Sequence, residues 1–214
     1  MNKKINQKAI IVGAGGHSRV IARLLESAPG LEVAGVADQA DGNIGEMIGK
    51  YPVITTFDHL SEWFEKGVTN AALAVGDNNK RADMFYKLKD MGFHILTLIH
   101  PTAHVDADVQ IGEGVVVCAG AILCTQVKVG DNVLINTGAI IDHECNIASH
   151  AHIGPGSRLA GRVNIGERTF IGIGSTVKEK IVIGSRSVIG AGSVVVRPIP
   201  DDVIAYGVPA VVQR

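Results

Sequence analysis

The chain has 214 residues and a formal net charge of −1, so it offers no basic face for nucleic acid, and its partner is expected to be a small molecule. Its longest uncharged apolar run, at 114–124, is well short of the roughly 20 residues that cross a bilayer, and the run at 9–12 is too short for a signal peptide. We therefore expect a cytoplasmic protein without membrane insertion. Its three cysteines are expected to be reduced core residues, because they form neither a metal-binding spacing nor an even disulfide set.

The aromatic residues indicate two separate cores. Seven of the nine lie before residue 98. We place the boundary where His100-Pro101 interrupts any preceding element, which gives domains at 1–98 and 99–214.

The first domain alternates predicted strands with helices, which is typical of a parallel α/β sheet. The helix near Leu60 has Asp58 or Ser61 as a candidate cap. Ligands bind such sheets at the carboxyl ends of strands, here at 13–17, at 38 and at 76–81. The predicted strands are 9–12, 33–37, 71–75 and 94–99, and the other predicted helices are 18–27 and 81–91.

The loop from Gly13 to Ser18 resembles a dinucleotide-binding turn, but Ser18 stands where the third glycine would be. Asp38 has about the spacing of a ribose-binding acid, yet fewer than 100 residues leave room for only half of a dinucleotide fold. We favour a nucleotide or nucleotide-sugar with its phosphates at the helix N-terminus, because free N–H groups and the helix dipole attract anions. Bound NAD and a tight turn without a ligand are the alternatives.

The second domain has an aliphatic residue at every sixth position from Val105 to Val195, without exception. A strict period of six predicts short strands joined by corners, the hexapeptide pattern of a parallel β-helix. Three hexapeptides close one turn, so equivalent residues of successive turns stack, and the small or β-branched residue two positions before each aliphatic also points inward. A positive φ is expected at the glycines that follow the inward aliphatics, namely Gly112, Gly130, Gly154, Gly166, Gly172, Gly184 and Gly190.

One outward column of the coil is mostly apolar, which a monomer would not leave in water. It predicts a subunit interface in a cyclic trimer, with His152 inside it. Its members are Val116, Leu134, His152, Phe170 and Val188.

The strongest candidate for chemistry is Asp142-His143-Glu144, where two carboxylates flank a histidine at a corner. An imidazole held by a carboxylate is a general base, and Gly161, which stacks on His143 in the next turn of the coil, leaves it accessible. A hydrogen-bonded corner histidine without a catalytic role is the alternative. The histidines at 59, 94, 100 and 104 have no neighbouring carboxylate that would give them a task.

Several motifs carry a family resemblance: 13–17 (GAGGH), 74–78 (AVGDN) with Arg81, 98–101 (LIHP), 136–138 (NTG) with 141–144 (IDHE), and 207–210 (GVPA). Together they resemble the sugar acyltransferases of the sialic-acid O-acetyltransferase and bacillosamine or perosamine N-acetyltransferase type. The resemblance implies a small Rossmann-like domain followed by a left-handed β-helix, and a homotrimer. It also implies acetyl-CoA as co-substrate, with neither a permanently bound cofactor nor a metal.

The resemblance also implies roles for residues. His143 corresponds to the catalytic base and Glu144 to the carboxylate that raises its basicity. Neighbours on a strand point to opposite faces, so this pair needs a corner between them, and Asp142 is the substitute partner. Nucleotide-sugar binding is expected at Gly15, Gly16, His17, Asp38 and Gly76, with Gly13, Asn78 and Arg81 added by spacing. Acetyl-CoA is expected to contact His152, Gly161, Ile173 and Ala191, the last of which stands where a relative has glycine.

The preferred function is direct transfer of acetyl from acetyl-CoA to the 4-amino group of a nucleotide-linked 4-amino-4,6-dideoxy sugar, in surface glycan synthesis. O-acetylation of sialic acid or a related sugar is the nearest alternative. A non-catalytic trimeric binding protein and a nicotinamide-dependent enzyme are remoter ones. The intact Asp142-His143-Glu144 sequence argues against the binding protein, because a degenerate copy more often loses the histidine.

Overall fold

The computed structural model of the protein describes residues 7–28, 30–39 and 41–213. The chain divides into two compact units, Met1–Leu98 and Ile99–Arg214. Among the helices of the described ranges, none is long and apolar enough to cross a membrane.

The first unit is a parallel sheet with helices in its connections. The elements are β1 (Gln7–Val12), α1 (Gly16–Glu26), β2 (Leu31–Asp38), β3 (Met47–Ile48), β4 (Tyr51–Thr56), α2 (Leu60–Glu65), β5 (Val68–Leu73), α3 (Asn78–Asp90) and β6 (His94–Ile95), with 3₁₀ turns at Asp41–Asn43 and Phe57–His59. The strand order is β3-β4-β2-β1-β5-β6, and β3 and β4 are the antiparallel pair. The central strand β1 is buried from Ala9 to Val12, as expected for a strand that is covered on both faces.

Two local predictions for this unit are wrong, and one feature was missed. The hairpin of β3 and β4 was not foreseen. Neither Asp58 nor Ser61 caps α2, because a 3₁₀ turn leads into it and His59 occupies the N-cap without a side-chain bond. The expected strand at 94–99 is two strands, since Leu98–Ile99 belongs to a sheet of the coil, and the next residue, His100, donates its N–H to the Val117 carbonyl at 2.8 Å.

The second unit is a coil of two-residue strands, each paired in parallel with its equivalent in the next turn, as predicted. Val116 pairs with Leu134, and Ile122 with Ile140. In the described part of the chain these strands line three faces. They are β7 to β23: Leu98–Ile99, His104–Val105, Gln110–Ile111, Val116–Val117, Ile122–Leu123, Lys128–Val129, Leu134–Ile135, Ile140–Ile141, Asn146–Ile147, His152–Ile153, Arg158–Leu159, Asn164–Ile165, Phe170–Ile171, Thr176–Val177, Val182–Ile183, Val188–Ile189 and Val194–Val195.

The inward positions form the core of the coil. From Val117 to Val195 every sixth residue is buried, and the first two aliphatics, Val105 and Ile111, are half-buried. Each fully buried aliphatic side chain contributes about 1.5–3 kcal/mol relative to exposure. The hydroxyl groups at the second inward position bond carbonyls, as Ser157 Oγ does with Gly172 O at 2.8 Å.

The glycines that follow the inward aliphatics serve close packing, so the expectation of a positive φ there is wrong. A Cβ on Gly130 would meet the Ser149 nitrogen at 2.7 Å, and one on Gly172 would meet the Ile189 oxygen at 2.6 Å. Coils separated by the strand-pairing distance of about 4.8 Å leave no room for a methyl group there. The left-handed residue comes two positions later, as at Gly174 and Glu144, with φ values of 67° and 57°.

The coil ends in an antiparallel hairpin. β24 (Ile204–Gly207) pairs in parallel with Val188–Ile189, and β25 (Ala210–Val212) returns along β24. The turn at 207–210 joins these two strands, so this motif terminates the stack.

The apolar column is not the exposed stripe expected from the sequence. Val116, Leu134 and His152 are 5%, 2% and 9% exposed in the single chain, and within the column only Val188, at 36%, is clearly open to solvent. The single chain therefore already buries most of this column.

Candidate active site

The corner after Ile140–Ile141 brings His143 and Glu144 to the same side of the coil. Glu144 adopts the left-handed conformation, which turns the chain between the two side chains. His143 Nδ1 lies 3.0 Å from Glu144 Oε2. The Asp142 carboxylate instead accepts the backbone N–H of His143 at 2.7 Å. Glu144, rather than Asp142, is therefore the partner of the imidazole.

A third side chain, Arg162, joins this pair. Its Nε donates to the same Glu144 Oε2 at 2.8 Å. The bond from Arg162, followed by that from His143, lowers the pKa of the Glu144 carboxyl below its usual value. Arg162 escaped the sequence reasoning, although it stands one full turn of the coil after Glu144 and therefore stacks on it.

Gly161 supports the imidazole from the next coil. A Cβ on Gly161 would overlap with His143 Nε2 and would meet Cε1 at 2.6 Å. Gly161 is buried, whereas the His143 side chain remains 47% exposed. The absence of a side chain at Gly161 therefore provides the space that the His143 ring occupies, in addition to leaving the ring accessible.

A second histidine–carboxylate pair lies outside this corner, contrary to the expectation for His104. Its Nε2 is 2.9 Å from Asp106 Oδ1, because residues two apart on a strand share a face. The His104 side chain is 68% exposed. This pair provides a natural control for His143.

A separate cleft in the first unit gathers the carboxyl ends of β1, β2 and β5. The predicted residues Gly13, Gly15, Gly16, His17, Asp38 and Gly76 all line it. Three other residues of the predicted ranges 13–17 and 76–81 also line it, namely Ala14, Asp77 and Lys80. The sequence reasoning missed four further lining residues, Gln39, Ala74, Val75 and Met84. Lys80 is exposed and lies three residues after the helix cap Asp77.

The turn before α1 explains why serine replaces the third glycine. Ser18 is buried, and its hydroxyl donates to the Gly15 carbonyl at 2.5 Å. Gly13 has a φ of 112°, and a Cβ there would meet the Ala74 oxygen at 3.0 Å. Gly15 caps α1 without a side-chain bond, which leaves first-turn N–H groups for an anion.

Asn78 and Arg81 do not line this cleft, and Arg81 is buried instead. Its guanidinium donates to the carbonyls of Val75 and Gly76, at 3.3 and 3.2 Å, and to Asn78 Oδ1 at 2.9 Å. Burial lowers the pKa of Arg81 to about 10, so it stays charged at neutral pH. Arg81 therefore supports the loop after β5, and contact of Arg81 or Asn78 with a ligand stays a prediction.

Two other cleft residues have defined electrostatics. Burial, with a smaller effect of the Arg81 charge, lowers the pKa of His17 to about 4, so His17 is neutral at pH 7. The Asp38 carboxylate accepts from the backbone N–H of Gln39 at 2.8 Å and from the Asn43 side chain. These bonds hold Asp38 at the rim of the cleft.

The residues expected to contact acetyl-CoA fall at two places. Ile173 and Ala191 are exposed and occupy equivalent positions on one corner of successive turns. His152 lies one turn of the coil earlier, on the strand that pairs with Phe170–Ile171. Its Nε2 is 3.1 Å from Asn136 Nδ2, and its ring packs edge-on against Phe170. Gly161 is not with them, because it lies at the His143 corner. In the described ranges, no group of three or more histidine, cysteine or acidic residues is arranged to hold a metal.

The chain is similar to known proteins in both units. Residues 8–88 match the PglD N-terminal domain, and residues 162–197 match the bacterial transferase hexapeptide (six repeats). The UDP-N-acetylbacillosamine N-acetyltransferase of Bacillus subtilis strain 168 is 36% identical over 121 residues, which is 51% of this chain and 50% of that protein. This match therefore spans only half the length of that curated relative.

Solved structures match nearly the whole chain. A variant of perosamine N-acetyltransferase from Caulobacter crescentus, in complex with CoA and GDP-perosamine, is 38% identical over 97% of each chain, with a TM-score of 0.92. The acetyltransferase domain of PglB from Neisseria gonorrhoeae, in complex with acetyl coenzyme A, is 34% identical over 97% of this chain and 100% of that one, with a TM-score of 0.90. The similarities confirm the predicted family resemblance and fold class, a small α/β domain followed by a left-handed β-helix.

Proposed function

Because the chain belongs to the sugar acyltransferase family of the bacillosamine and perosamine N-acetyltransferase type, we propose that it transfers acetyl from acetyl-CoA to the 4-amino group of a nucleotide-linked 4-amino-4,6-dideoxy sugar. The contact that carries this proposal joins His143 Nδ1 to Glu144 Oε2 at 3.0 Å. An ionised carboxylate only accepts hydrogen bonds, so Nδ1 holds the proton and Nε2 is free to act as a base.

The reaction follows from this arrangement. The amine nitrogen attacks the thioester carbonyl, the C–N bond forms, and His143 Nε2 takes the proton of the amine. The C–S bond then breaks, and the imidazolium returns the proton to the departing sulfur. Holding both substrates in place supplies much of the remaining acceleration. Glu144 also borders a polar cleft with room for a sugar, lined by Asp108, Gln110, Gln126, Lys128, Cys145, Asn146 and Asn164.

Direct transfer agrees with the state of the cysteines. Cys118, Cys124 and Cys145 are free, and burial raises the pKa of the Cys118 and Cys145 thiols to about 11. Such thiols are protonated at neutral pH and are poor nucleophiles. An acetyl-enzyme intermediate on either residue is therefore disfavoured.

We assign the nucleotide part of the acceptor to the cleft of the first unit. The uncapped N–H groups after Gly15 suit the phosphates, Lys80 adds a positive charge, and the Asp38 carboxylate suits ribose hydroxyls. The similar Caulobacter protein was solved with CoA and GDP-perosamine. Acetyl-CoA is assigned to His152, Ile173 and Ala191, and the working state to a cytoplasmic homotrimer that serves surface glycan synthesis.

The test is a thiol-release assay with acetyl-CoA and a panel of acceptors: UDP-, GDP- and dTDP-linked 4-amino-4,6-dideoxy sugars, and free and CMP-linked sialic acid. We expect CoA release with an amino sugar, and His143→Ala should lower kcat about 10²- to 10⁴-fold. His104→Ala is the matched control and should keep normal turnover. Release only with sialic acids would replace the proposal by O-acetylation, and failure to bind acetyl-CoA would remove the enzyme assignment.

A further inference from the structure

We infer that Arg162 is a positioning residue for the reaction, because it holds Glu144 in the state that makes His143 a base. This inference rests on the proposed function. Arg162 Nε and His143 Nδ1 meet at a single oxygen, Glu144 Oε2, at 2.8 and 3.0 Å. The three side chains thus form a hydrogen-bonded chain that spans two successive coils.

The backbone positions the three side chains of this hydrogen-bonded chain. Arg162, like Glu144, has a left-handed φ, 63° against 57°, so both corners turn in the same way and their side chains stack. Arg162 N–H also donates to the His143 carbonyl at 2.9 Å. The guanidinium and the imidazole are therefore carried by the same pair of stacked corners.

Glu144 needs the bond from Arg162 because both side chains are accessible to water. The Glu144 side chain is 38% exposed and the Arg162 side chain is 53% exposed. A lone carboxylate at such a corner would sample several rotamers, and ordering it would cost conformational entropy. With Arg162 on Oε2, the carboxylate stays ionised and directed at Nδ1, which keeps the Nε2 lone pair available.

A purely structural role would be shared by a similar ion pair elsewhere in the coil. Arg186 also has a left-handed φ, of 55°, and its guanidinium donates to both oxygens of Asp202 at 2.6 Å. That pair contacts no histidine in the described structure. Arg186→Gln is thus the matched control for Arg162→Gln: each substitution removes a corner ion pair, and only one of them removes the support of a base.

The experiment measures kcat and KM of the full chain with acetyl-CoA and the best amino-sugar acceptor. Arg162→Gln should lower kcat about 5- to 50-fold, which lies within the range that coupling energies in one hydrogen-bond network produce, while both KM values change less than about 2-fold. Arg162→Lys should give an intermediate kcat, because lysine restores the charge but not the directed Nε–H. Arg186→Gln should leave kcat unchanged.

A double-mutant cycle identifies the route of the effect. If Arg162 acts through Glu144, then Arg162→Gln should lower kcat by less than about 2-fold in a Glu144→Gln background. Three results would each overturn the inference, provided that His143→Ala still lowers kcat as expected: full additivity, an unchanged kcat, or an effect confined to KM. A wild-type chain without acetyl transfer to any acceptor would instead remove the proposed function on which the inference rests.

Discussion

The imidazole of His143 lies directly over Gly161, which belongs to the next coil, and a Cβ at that glycine would meet His143 Cε1 at 2.6 Å. The His143 ring therefore packs on the Gly161 backbone, in the space that a side chain would otherwise fill. Gly161 has no left-handed φ, so glycine is needed there for space and not for backbone conformation.

Gly161→Ala should impair catalysis more than folding. The added methyl group displaces the ring, and a misplacement of about 1 Å can cost about 10²-fold in rate. We expect kcat to fall about 10- to 100-fold while the melting temperature stays close to that of the wild type. Gly42→Ala is the control, because a Cβ there meets open space. A normal kcat for Gly161→Ala would show that the ring can occupy another position.

Two kinds of coil glycine should respond differently to alanine. Gly172 approaches the next coil closely, whereas Gly174 has a φ of 67° and open space around its Cβ position. Gly174→Ala should cost about 1–2 kcal/mol, the strain of a left-handed residue, and Gly172→Ala should cost more, because backbone must move. Denaturant unfolding of both variants measures the difference. Equal costs would contradict the close-packing role of Gly172.

Variants of Arg81 and Lys80 should distinguish support of the loop near Gly76 from binding of the nucleotide-sugar. Arg81→Lys keeps a charge but cannot reach the three oxygens near Gly76, so about 1–3 kcal/mol of stability is lost for a carbonyl left unsatisfied. We expect lower stability and a higher KM for the nucleotide-sugar. Lys80→Ala should raise the same KM and leave stability unchanged, because Lys80 is exposed. Unfolding and steady-state kinetics of both variants test this.

His17 should make stability depend on pH in a defined window. Its pKa is about 4 in the folded chain, against the ordinary value of 6.5. The unfolded chain therefore binds the proton first, and stability is lost as the pH falls from about 6.5 towards 4. The melting temperature of His17→Gln should fall less over this range than that of the wild type. Parallel curves for the two proteins would contradict the burial of a neutral His17.

The sequence by itself determined the coil, its register and the alternating strands and helices of the first unit. The reason is repetition. Each six-residue segment meets the same steric demands, so the inward aliphatic residue recurs at every sixth position from Val105 to Val195. The Asp142-His143-Glu144 corner and the glycine-rich loop after β1 were also visible, because in each case the chemical groups are neighbours along the chain.

Only the tertiary structure decided which of these groups meet. Glu144 rather than Asp142 pairs with His143 because a left-handed φ of 57° redirects its side chain. Arg162 enters the site because successive coils stack corner on corner, and the Arg81 guanidinium turns inward to loop carbonyls. Side-chain direction and burial depend on residues distant in the chain, and for that reason no local pattern revealed them.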